Sequence, residues 1–169
     1  LKEIRKGRKV TVICNSLIHE VYSYSNDKEV RDFWSKIYGS SFNYVVIRDM
    51  CVSHTTSRPS DIISVAKIRQ RFKDHQKINQ FEAQWGGLSE NWALVHFLLK
   101  YRYVDTWERE CYENYLPNNL EALLALIPTT YDPILMEHYT LPWIRQKVLE
   151  DFRIDLQDRT HVKLILKLL

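Results

Sequence analysis

A chain of 169 residues, 45% hydrophobic and 27% charged, is most simply one domain large enough to bury a sizeable core. No apolar run approaches the ~18 residues that span a bilayer and no signal-peptide pattern opens the chain, so no membrane partner is expected. The three cysteines, Cys14, Cys51 and Cys111, are odd in number and far apart with no CxxC, which supports neither a disulfide framework nor a zinc site and points to a reducing, cytoplasmic setting.

Residues 1–7 read as the tail of a helix stopped by Gly7. They share with Arg8 and Lys9 a run of cations (Lys2, Arg5, Lys6), a solvated helix end or, in a sharper reading, a nucleic-acid contact. Residues 10–14 are short, β-branched and nearly all apolar, as in a strand buried on both faces. After Asn15-Ser16, residues 17–22 continue as a helical turn carrying His19-Glu20. Asn26 is an N-cap with Glu29 three residues on, and Val30, Phe33, Trp34 and Ile37 form one apolar stripe ending at Gly39.

Residues 42–47 form a second strand that closes on Arg48-Asp49. Strand, helix and strand with short links make a βαβ unit, so the two strands run parallel and end side by side at one carboxyl edge. Open sheets hold ligands at such an edge. Between about 53 and 117 the chain turns mostly helical. A polar loop ends in Arg58-Pro59-Ser60-Asp61, where Arg58 and Asp61 read as cap or contact. Helices follow at 62–72, 91–103 and 106–115, with Phe81, Trp85 and Leu88 around the Gly86-Gly87 turn. This is longer than a simple crossover, and reads as an insertion or cap over the sheet. A short helix at 119–127, a third strand at 134–139 ending in His138-Tyr139, a helix begun by Pro142 and a terminal strand at 160–169 complete the chain.

No GxGxxG or GxxxxGK[ST] occurs, so the chain has no phosphate-cradling loop of its own. A zinc-protease pairing would need a second histidine four positions after His19, where Ser23 stands. No G-x-S-x-G elbow surrounds Ser16. Three polar clusters at strand ends remain (Asn15-Ser16 with His19-Glu20, Arg48-Asp49, and His138-Tyr139), and together they suggest a ligand crevice. The aromatics at 85–115 read as core packing, or as a base-stacking platform aided by Lys67, Arg69, Arg71 and Lys73.

Val-Ile-Cys-Asn-Ser-Leu-Ile-His-Glu-Val-Tyr-Ser-Tyr resembles the fourth strand and following helix of class I S-adenosylmethionine-dependent methyltransferases, and Phe-Asn-Tyr-Val-Val-Ile-Arg-Asp-Met resembles their fifth strand. The resemblance covers roughly 10–48 and 119–169. It implies an α/β fold: a partial Rossmann-like sheet from 1–52 and 118–169, its last strand antiparallel, with 53–117 as a helical, substrate-side insertion. It implies S-adenosylmethionine as cofactor, with Asn15 and Ser16 near its methionine end. His19, Glu20 and Asp49 would be catalytic residues at the cleft, and Arg48, Arg58, His138 and Tyr139 substrate contacts, for an acceptor it does not name. The family's first strands, with the glycine-rich loop and the acidic ribose-binding residue, have no counterpart in this sequence. An amino-terminal half or a partner chain would have to supply them. The alternative is a non-catalytic interaction module, associated with nucleic acid.

Overall fold

The computed structural model describes residues 7–72 and 76–169. The expected helix tail at 1–6, with Lys2, Arg5 and Lys6, and the cation Lys73 lie outside them. The chain is mixed α/β. Strands β1 (Thr11–Asn15), β2 (Tyr44–Met50), β3 (Tyr131–Tyr139) and β4 (His161–Leu168) form one sheet in the order β1-β2-β4-β3.

β1 and β2 pair in parallel with Asn15 opposite Arg48, as the βαβ reading requires, and β4 runs antiparallel to both β2 and β3. The amino end of β4 therefore lies at the carboxyl edge of the other three, His161 opposite Met50 on one side and Tyr139 on the other.

Helix α1 (Ile18–Tyr24) and helix α2 (Asp27–Gly39) link β1 to β2. The capping box is present: the Asn26 side chain accepts from the Lys28 and Glu29 amides, and the Glu29 carboxylate accepts from the Asn26 amide at 2.9 Å. Trp34 and Ile37 from the α2 stripe bury against Cys14, Val45, Ile47, Leu164 and Leu166. That apolar layer holds one face of the sheet. Alternation sends Ile13 to the other face, where it is 66% exposed. The expectation that β1 is buried on both faces is therefore corrected: among the described residues it is an edge strand. β4 keeps the expected alternation, partly exposed on the Lys163 and Lys167 face and with Val162, Leu164 and Leu166 fully buried on the other, and it lies inside the sheet between β2 and β3.

A 3₁₀ turn at His54–Thr56 opens the helical region. Then come α3 (Ile62–Arg71), α4 (Gln76–Trp85), α5 (Asn91–Lys100), α6 (Trp107–Tyr112) and α7 (Leu120–Ala125), and later α8 (Pro142–Phe152) between β3 and β4. Asp61 caps α3 through the Ser64 amide at 2.9 Å. α6 is shorter than the 106–115 expected: Glu113 is already extended, and Tyr115 is held by Glu110 and His96. α3 to α6 build a second core around Phe81, Val95 and Phe97, and it takes in Val148, Phe152, Ile154 and Leu156. So α8 and the residues after it, adjacent in sequence to the sheet half, pack with the helical half.

Candidate functional site

Three layers meet at the carboxyl edge of the sheet around a cavity of about 600 Å³. The sheet edge and the start of α1 contribute Ser16, His19, Arg48, Asp49 and His161. The helical region contributes Tyr101, Tyr103, Arg109, Glu113 and Tyr115, and α8 adds Trp143, Ile144 and Lys147. This is within the size range of small-molecule sites.

Asp49 organises the edge. Sharp reversal after β1 puts Ser16 in the left-handed region (φ 50°), its amide still bonded to the Arg48 carbonyl at 2.8 Å. α1 then begins at Leu17 without a side-chain cap of its own. Asp49, reaching across from β2, supplies it: one carboxylate oxygen accepts from the amides of Leu17 (3.0 Å) and Ile18 (2.6 Å). The other oxygen bonds His19 Nδ1 at 2.7 Å and the Met50 amide at 2.8 Å. Both side chains are buried.

Burial alone would depress the His19 pKa, but the hydrogen bond and negative charge of Asp49 outweigh it, and the net shift is upward. With Nδ1 committed to Asp49, Nε2 is the nitrogen left to a ligand in the cavity, and it has no hydrogen-bond partner among the described residues. A His–Asp pair of this kind is a positioned proton acceptor.

The helical region is tied to this pair. The Tyr115 ring meets the His19 ring edge-on at 5.3 Å between centroids, and its hydroxyl donates to Glu110. Tyr24 of α1 donates to Glu113 at 2.6 Å, and the Arg109 guanidinium holds the same carboxylate oxygen at 3.0 Å. The Asn114 amide donates to Ser23, whose hydroxyl donates to the His19 carbonyl. Burial and Asp49 raise the Cys14 thiol, and burial pushes Cys51 up to about 12, so neither is a ready nucleophile. Among the described residues no three histidine, cysteine, aspartate or glutamate side chains lie close enough to hold a metal ion.

Of the residues singled out from sequence, Ser16, His19, Glu20, Arg48 and Asp49 line one cavity. Asn15 does not line it, but its amide oxygen accepts from Arg48 at 3.2 Å. The others lie elsewhere. Arg58 makes a two-point ion pair with Asp158, at 2.8 and 2.9 Å, that ties the 3₁₀ turn to the loop before β4. His138 bonds the Cys51 carbonyl at 3.1 Å, and with Tyr139 it borders a separate open groove beside Arg145 and Arg159. β3 lies two strands from β2, too far for its end to share the cavity.

His161 was missed. It lines the cavity, and burial first, then the nearby Arg48 charge, presses its pKa down to about 4, so it is neutral. Its position was readable once the last strand is antiparallel, because such a strand starts where its neighbours end. The aromatics proposed as a stacking platform are largely core: Trp107, Tyr101 and Tyr115 are buried, and Trp85 and Trp92 pack against the same cluster. Lys67 donates to the Arg153 carbonyl, and Arg69 pairs with Glu82. No helix among the described residues is long and apolar enough to cross a membrane. No protein-family model matches the chain, and no curated protein matches it.

Proposed function

We propose that this chain is the acceptor-side half of an S-adenosylmethionine-dependent methyltransferase. The observation that carries the reading is the edge itself. Two parallel strands and a reversed last strand converge on a cavity lined by a buried His–Asp pair, whose second ring nitrogen has no hydrogen-bond partner among the described residues.

The residues present fit the sulfonium-bearing end of the cofactor, a cation that the Asp49 and Glu20 carboxylates and the tyrosine faces would favour. For the nucleoside end this sequence offers no glycine-rich loop, and that end belongs to whatever joins the free side of β1. When bound, the cofactor supplies a methyl group on sulfur for in-line displacement. The chain's own residues do the rest. The helical region and α8 wall the cavity and hold an acceptor in line, where positioning contributes most of the rate. His19 Nε2 receives the acceptor's proton, and Asp49 fixes the ring tautomer and stabilises the imidazolium.

Calorimetry of S-adenosylmethionine against the complete protein tests the reading. Saturable binding, competed by S-adenosylhomocysteine, is the expected result; no binding by either removes it.

A further inference from the structure

The two edges of the sheet are finished differently. The β3 edge carries Asp132, Pro133 and Glu137, and its register slips between Pro133 and Leu135. Charge, proline and a bulge are the features that keep an edge strand from pairing with another chain. β1, with the sequence Thr-Val-Ile-Cys-Asn, has none of them, and no strand lies on its outer side among the described residues. Val10 accepts from the Asn43 amide at 2.9 Å and Ser16 donates to the Arg48 carbonyl at 2.8 Å, so the even-numbered residues turn their main chain toward β2. Thr11, Ile13 and Asn15 therefore turn their N–H and C=O groups outward.

Strand register shows what a partner at this edge would meet. Ile13, Val46, Ile165 and Leu135 are successive cross-strand neighbours, an apolar row running the width of one face. Polar rows flank it, Asn15 and Arg48 leading one, Thr11 and Tyr44 the other. The apolar row ends at the open edge with Ile13, which is 66% exposed. The three outward-facing residues are symmetric about Ile13, polar on either side of an apolar centre. A second β1 laid antiparallel across a two-fold axis matches that pattern, with Ile13 opposite its own copy and Thr11 opposite the partner's Asn15. Charge matches as well. Lys9 falls opposite the partner's Leu17, so the exposed Arg8 and Lys9 of each copy approach the exposed Glu20 of the other, one helical turn further on.

We infer that the chain forms a two-fold dimer through β1, joining two four-stranded sheets into one continuous sheet. Each outward-facing residue exchanges two N–H···O bonds with the residue opposite it, and the apolar row runs unbroken through both copies. A five-residue seam is smaller than a standard interface, so the dimer assembles in the micromolar range and is not an obligate pair. The proposed function leaves the outer side of β1 to another chain. The dimer names that chain and does not rely on the reaction assigned to the cavity.

Sedimentation velocity on the whole chain, from micromolar to millimolar concentration and with no cofactor present, is the test. A monomer–dimer equilibrium is the expected result. I13K sets like charges opposite each other at the axis and should raise the dissociation constant about tenfold or more. T11P removes a donor that faces away from β2, so it should weaken the dimer and leave the β1–β2 pairing intact. Circular dichroism checks that both variants fold. In I13C the new thiols lie across the axis at a Cα separation of about 5.5 Å, and a short bismaleimide should join the copies there. The native Cys14, Cys51 and Cys111 are buried and leave that reaction to the new thiol. A monomer throughout the range overturns the inference. So does a dimer that I13K and T11P leave unchanged, or one in which I13C does not cross-link, a result that stands even if the other variants fail to fold. Because no arm contains S-adenosylmethionine, failure here is distinct from failure of the methyltransferase reading.

Discussion

Two buried histidines, His19 at the sheet edge and His96 in the helical core, have opposite electrostatics. His19 is 6% exposed and His96 fully buried. Each loses hydration of its charged form, which favours the neutral ring. His19 is nevertheless shifted up, because Asp49 is bonded to it at 2.7 Å. His96 is held well below the ordinary histidine range by burial and by the charge of Lys100 one turn along α5. Its Nε2 accepts from the Tyr115 amide at 3.2 Å, while Nδ1 has no partner among the described residues. Phe81, Trp85 and Trp92 surround the ring. Depth of burial does not set the direction of a histidine's shift. The partner does. Tyr115 touches both, through its ring edge on one side and its amide on the other, so the two environments share a single residue.

The largest way to break this comparison is D49A. It removes the cap of α1 and the partner of His19 together, leaving buried amides and an imidazole without their acceptor. Breaking a buried charged pair costs about 3–5 kcal/mol, and the same order is expected in urea denaturation. D49N keeps an acceptor for the helix amides but not the charge. It should cost less, about 1–2 kcal/mol as for a weakened cap, and should bring the His19 pKa down. If D49N matches D49A in stability, the carboxylate's charge matters more to the fold than its capping geometry.

How much of this was legible depends on which interactions are local. The capping box at Asn26 and Glu29, the proline start of α8 and the parallel β1–β2 pair follow from neighbours in sequence, and all are present. Reading Arg48-Asp49 as a pair after the strand was the weaker step. Both lie within β2, and strand alternation sends them to opposite faces, Asp49 with Ile47 and Arg48 with Val46. Counting in twos would have separated the buried anchor Asp49 from Arg48, whose guanidinium bonds Asn15. Placing Arg58 at the site failed for a different reason: its partner Asp158 is a hundred residues away, and no local pattern predicts such a pair. Nor could spacing say that Tyr115 and Trp143, rather than other aromatics of the same composition, would wall the cavity.

H96L attacks the other histidine. Leucine fills the apolar cage but orphans the Tyr115 amide, a loss of about 1–3 kcal/mol for an unsatisfied buried donor. Because Tyr115 also meets His19, the variant should disturb the His19 ring resonances. A variant that loses stability with His19 unmoved would show that the two environments are uncoupled.

K100M should have a smaller effect at neutral pH and a distinctive pH signature. The Lys100 ammonium bonds the Glu113 carbonyl at 2.5 Å and lies near the rings of Tyr115 and Trp85, yet burial pushes its pKa down to about 7 from the ordinary 10.5. Between those values the unfolded chain binds the extra proton. Lys100 therefore makes the wild type gain stability as pH rises from about 7 toward 10.5, and below 7 its desolvation penalty is fully present. Subtracting K100M from wild type across pH 6–10 by urea denaturation isolates the slope. A flat difference would mean that the lysine keeps its proton in the fold.

The finest test perturbs nothing. ¹H NMR titration of the histidine ring protons should separate the buried rings by partner, with His161 titrating near 4, His96 well below 6.5 and His19 above 6.5. The sign carries a consequence for stability. Because the folded His19 pKa lies above the unfolded one, its contribution is complete below 6.5 and is lost as pH rises through the folded value. Lys100 works in the opposite sense at higher pH, so the two regions trade places as the solution becomes basic: the sheet edge loosens while the helical core firms. If His19 instead titrated below 6.5, burial would outweigh Asp49 there too. The ring would then be neutral at pH 7 and a weaker base, and Asp49 would act chiefly as the cap of α1.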